Sequence, residues 1–167
     1  MPSLCSRYSV LPALSLEQGV LHCDIIEGAF DTTMFYKFIE RTLDQMQPFP
    51  TPNSVIVMDN CRIHKHPDIL ELIESWYVFF VLVCYVLLNR LSLSGMRCEF
   101  LPPYSPDYNP IKLLFSAMKY RLQCNGSYIR FAMNELSVEE IHATLTEAVC
   151  NITMQDAWGW YHHCGYV

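Results

Sequence analysis

Residues 55–65 read VIVMDNCRIHK. Ser54 to Met58 is a continuous apolar run of the kind a parallel sheet buries on both faces, and Pro48, Pro50 and Pro52 ahead of it end any preceding helix. Asp59 then stands at the strand's C-terminal end, where open α/β sheets collect ligands. A carboxylate there offers hard oxygen donors of the type Mg²⁺ takes. The competing reading of Asp59 is structural, as the cap of the turn that follows the strand.

Working outward, Arg7 to Leu16 and Gly19 to Ile26 are short, apolar and partly β-branched, and the Glu17-Gln18-Gly19 break between them predicts an antiparallel hairpin. Asp31 to Met46 places Met34, Phe35, Phe38, Ile39 and Leu43 at helical spacing, with Asp31 or Thr32 as the N-cap. Pro67 to Ser75 resumes a helical pattern, and Arg97 to Leu101 is a further short strand. Pro110 to Gln123 is a helix with proline at its start. Ser137 to Val149 is a helix opened by a capping box, Ser137 with Glu140 three residues on. The aromatic tail (Trp158, Trp160, Tyr161, Tyr166) is expected to pack on the core. The order β-β-α-β-α-β-α indicates a mixed α/β sheet flanked by helices.

With 167 residues, 51% of them hydrophobic, the chain suits one domain with a real core. A formal charge of -6 gives no global attraction to phosphate, so any contact with nucleic acid must be local. Eight cysteines without a CxxC pair, behind an N-terminus that lacks the pattern of a signal peptide, read as reduced thiols of an intracellular protein. Cys61 and His64 form a C-x-x-H pair and His162, His163 and Cys164 adjoin, but four zinc ligands at recognisable spacing are not present.

The stretch from Trp76 to Ser94 is unlike its surroundings: Trp76 to Leu88 carries no charge. As a helix, that apolar core would span about 20 Å against a hydrocarbon layer of about 30 Å, so a membrane span is disfavoured. An in-frame insertion, such as a translated intron, accounts better for an abrupt change of composition between helix and strand.

Three segments taken together, VIVMDNCRIHK at 55–65, FLPPYSPDYNPI at 100–111 and DAWGWYHHCGYV at 156–167, resemble the fungal branch of the mariner-type DDE transposases. The matching positions are Asp59, Asn60, His64, Ser105, Asn109 and Pro110. The resemblance implies an RNase H-like fold over 1–167, with 76–94 as an atypical insertion. It also implies a nuclear protein that acts on DNA in oligomers and holds two Mg²⁺ or Mn²⁺ ions through three carboxylates. Of these three, Asp59 would be the second and the one metal ligand present, with Asn60, His64 and Asn109 in support.

Two departures follow from the same alignment. The third carboxylate falls on Lys112, and removing the 19 residues 76–94 from the 52 that separate Asp59 and Lys112 leaves 33, which restores the family's spacing. The family's first aspartate lies on a central strand ahead of the hairpin, so the expectation is a sheet without that strand. Asp24 does not replace it, because the pattern puts it beyond the sheet's centre. The expected function is therefore that of a transposase remnant without DNA cleavage or strand transfer. The alternatives are a non-catalytic module that binds nucleic acid or a related transposase, and a protein anchored through 76–88.

Overall fold

The computed structural model describes residues 7–47, 49–76, 97–124 and 137–167. They belong to two compact units, one made of Met1–Phe30 with Pro106–Val167 and the other of Asp31–Ser105.

In the first unit, β1 (Tyr8–Ser15) and β2 (Gly19–Glu27) form an antiparallel hairpin. Ser15 Oγ accepts the amides of Glu17 and Gln18, each at 3.2 Å, and Gly19 returns the chain with a φ of 74°, a left-handed conformation that suits glycine. Gly28 N–H donates to Arg7 O at 2.7 Å, which extends the ladder by one pair and sets its phase. Tyr8, Val10 and Pro12 then direct their backbone groups away from β2. Pro12 thus sits where a missing N–H takes nothing from the ladder.

Three helices complete this unit: α3 (Pro110–Cys124), α4 (Val138–Cys150) and α5 (Met154–His163). In α4, Ile141, Leu145, Ala148 and Val149 recur at one-face spacing and are buried, and the Ser137/Glu140 capping box is formed in both directions. Leu114 and Met118 of α3 meet Ala148, Val149 and Ile152 in the core, with Val10, Leu14, Val20, Cys23 and Trp160 packed around them.

In the second unit, α1 (Thr32–Leu43) is capped by Asp31, whose carboxylate accepts the Met34 amide at 2.7 Å. Its buried residues, Phe35, Phe38, Ile39, Thr42 and Leu43, lie along one stripe. β3 (Val55–Met58) runs parallel to β4 (Arg97–Phe100), in register Val55 with Arg97 through Met58 with Phe100. Between them in sequence comes α2, helical over 67–76 among the described residues, with Ile69, Leu72 and Ile73 buried.

The expectation of a strand buried on both faces is corrected here. Ile56 and Met58 are buried, whereas Val55 and Val57 are 39% and 40% exposed, so the apolar run belongs to a half-buried strand. A run of branched residues fits either environment, and only the pairing decides which. Among the described residues the strands form two two-stranded sheets within a mixed α/β architecture. Of the 76–94 stretch only Trp76 is described, at the end of α2; the expectations for 77–94 lie outside the described residues. No helix among the described residues is long and apolar enough to cross a membrane.

Candidate functional site

Asp59 stands one residue beyond β3 with its side chain 50% exposed. Its Oδ1 accepts the Cys61 amide at 2.9 Å, closing the turn, and lies 2.8 Å from His64 Nδ1. The same Nδ1 is 3.3 Å from the Asp59 carbonyl. Both groups facing Nδ1 are acceptors, so in the neutral ring Nδ1 carries the proton and Nε2 keeps its lone pair.

The plane of that ring is set by α1: Phe35 stacks on His64 with centroids 4.6 Å apart and an interplanar angle of 26°. Asn60 points elsewhere and donates through Nδ2 to the Leu101 carbonyl, tying the exit of β3 to the exit of β4. The neighbouring Lys65 ammonium lies 5.2 Å over the Phe100 ring. The second unit thus brings Asp59, Asn60 and His64 together, and each has a local structural partner.

Asn109 and Lys112 belong to the first unit. The short 3₁₀ turn Pro106–Tyr108 leads to Asn109, whose amide donates to Pro106 O at 3.1 Å. Asn109 Oδ1 accepts from the Ile111 amide at 3.3 Å and its carbonyl from the Lys112 amide at 3.1 Å, so Asn109 caps α3. Pro110 follows at the first helical position, where the absent N–H has no helical partner to lose. Lys112 is exposed in the first turn, where the helix dipole favours a carboxylate over an ammonium.

Of the three cations on α3, Lys112 and Lys119 share the solvent face with Ser116 and Tyr120. Arg121 is turned toward α5, its Nη2 3.7 Å from Asp156 Oδ2. Asp156 also completes the capping box of α5 with Thr153, and these bonds, more than Arg121, hold its carboxyl below the usual range. Asp24 lies mid-strand on β2, opposite Leu11.

A two-metal site needs several oxygen ligands that converge on each ion. Among the described residues no three His, Cys, Asp or Glu side chains converge. Asp59 has one carboxylate oxygen engaged by Cys61 and His64. These residues do not fit the pair of Mg²⁺ or Mn²⁺ ions that the resemblance implies.

The first unit also holds a cleft of about 380 Å³ lined by Val20, Cys23 and Ile25 of β2 and by Val149, Cys150 and Met154 across from them. Burial, and then the neighbouring Asp24, push the Cys23 thiol up to about 11, which makes it a poor nucleophile. Nothing in the cleft pairs a base with an acid.

Sequence reasoning missed the Phe35–His64 stack, since helical spacing marks Phe35 only as core. It also missed α5, although Thr153 with Asp156 opens a helix and His162-His163-Cys164-Gly165 closes one. The tyrosine contacts of its last turn, which join residues far apart in sequence, left no signal.

No curated protein and no solved structure matches the chain. A family model described as DDE superfamily endonuclease matches residues 2–132. That family's members are transposase-type nucleases that act on DNA and generally use divalent metal ions. The match takes in well over half of the chain, which therefore belongs to the DDE superfamily endonucleases.

Proposed function

We propose that this chain is a degenerate mariner-type transposase domain that neither cuts nor joins DNA. The observation that carries this reading is Lys112. At the position aligned with the third metal-binding carboxylate stands an exposed ammonium, which cannot ligate a divalent ion and repels it. Asp59 adds to the case, since its Oδ1 serves the turn and His64.

The test is a nicking assay on supercoiled plasmid with the purified chain in Mg²⁺ and in Mn²⁺. No nicked product above background is expected. Nicking that requires metal and disappears in Asp59→Asn would overturn the reading.

A second reading is favoured by the solvent face of α3, where Lys112 and Lys119 stand without a salt-bridge partner among the described residues. A non-catalytic module could touch phosphate there. Two such contacts give a log–log salt slope of about -2, and Lys112→Ala should reduce it by about one.

A further inference from the structure

We infer that Tyr166, which lies beyond the 2–132 family match, is a positioning residue for the Tyr108–Asn109 turn from which α3 and Lys112 start. The inference deepens the reading of that turn as part of a DDE-type site and rests on it in that respect.

α5 ends with Gly165 at a φ of 80°, its amide donating to His162 O at 3.1 Å, while the Tyr166 amide donates to Tyr161 O at 3.0 Å. This pair of bonds is the Schellman arrangement, and it folds the chain back on its own helix. Tyr166 is thereby laid edge-on against Tyr161, with ring centroids 5.5 Å apart and planes at 81°. Tyr161 is itself fixed, because its hydroxyl donates to Leu14 O on β1 at 2.8 Å. Cys164, between them, is buried.

From this fixed position the Tyr166 hydroxyl donates to Tyr108 O at 3.0 Å, across 58 residues of sequence. The turn it reaches is itself exposed, and burial resumes only at Pro110. The 3₁₀ segment buries no residue, and Tyr108 is 54% exposed. Its remaining described bonds are short-range, between Asn109 and Pro106, Ile111 or Lys112. The Tyr166 hydroxyl therefore supplies a tertiary tie at the residue just before the cap of α3, and it holds in place a helix start that Asn109 and Pro110 define.

The experiment is residue-resolved amide hydrogen exchange on the full chain, without metal or DNA, so its outcome is independent of the nuclease question. Tyr166→Phe removes the hydroxyl and keeps the ring against Tyr161. Exchange of the Asn109 and Lys112 amides should rise roughly 3- to 10-fold, the loss of one net hydrogen bond. The Gly28 amide on β2's ladder and the Ile141 amide of α4 should keep their wild-type rates. Tyr166→Leu should repeat the effect at Asn109 and also lower the unfolding midpoint, since the ring contact goes too. Unchanged Asn109 exchange in Tyr166→Phe, or an equal rise at all four amides, would overturn the proposal, the latter because Tyr166 would then be a general stabiliser.

Discussion

Tyr161 offers a pH test of how the C-terminal helix is held. Burial first, then the nearby Tyr166 and Cys164, push its phenol from 10.0 up to about 12. The folded state therefore keeps a proton that the unfolded chain gives up. This contribution is fully present below about pH 10 and is lost as pH rises through about 12. Each tenfold change in proton affinity corresponds to about 1.4 kcal/mol, so the rise from 10.0 to about 12 sets the loss at roughly 2–3 kcal/mol. Tyr161→Phe lacks the titrating group and escapes it.

At pH 8 the same substitution removes the bond to Leu14 O and should cost about 1 kcal/mol. The two effects have opposite sign, so the stability curves of wild type and variant should cross between pH 10 and 12. Cys23 is present in both proteins and cancels in the difference. Urea unfolding followed by circular dichroism at pH 8, 9, 10, 11 and 12 measures it. Curves that stay parallel across that range would refute the argument that burial of the phenol controls its ionisation.

Two further outcomes follow from the core and the cleft. Leu114 is fully buried at the centre of the first unit's core, and Leu114→Ala should destabilise by about 2–5 kcal/mol in urea unfolding, whereas a loss under about 1 kcal/mol would mean that the helices repack freely around it. At pH 8 iodoacetamide should label exposed Cys150 well before Cys23, whose thiolate fraction is lowered on the order of a hundredfold by its raised pKa, and peptide mapping that found equal rates would contradict the placement of Cys23.

What was legible in the sequence was local. The caps of α1 and α4 were legible because a cap needs only residues three positions apart: of Asp31 and Thr32 it is Asp31 that caps α1, and Ser137 pairs with Glu140 as expected. The hairpin was legible for the same reason, since the Glu17-Gln18-Gly19 break separates two partly β-branched runs. The surroundings of β3 were not. Val55 and Val57 have the composition of buried residues, and their exposure depends on which strand and layers lie beside them, which no window of sequence encodes. The candidate site divides the same way. Asp59 and Asn109 could be named from their motifs, while the stacking of Phe35 on His64 depends on where α1 packs.

The local partners of the motif residues bear on what their presence means. Asp59 closes the turn after β3 through the Cys61 amide, and Asn60 joins β3 to β4 through Leu101 O. His64 fills the space beside Phe35, and Asn109 caps α3. Each of these jobs lowers the energy of the fold without a metal or a substrate, so folding alone is a sufficient reason for all four residues to stand where they do. Their presence is thus weak evidence for catalysis. Lys112 is the opposite case: exposed, without a salt-bridge partner among the described residues, and in a helix turn whose dipole disfavours its charge. An exposed lysine needs no structural role, so Lys112 bears on the chemistry only through the alignment proposed above, and it is the residue on which the proposed loss of activity turns.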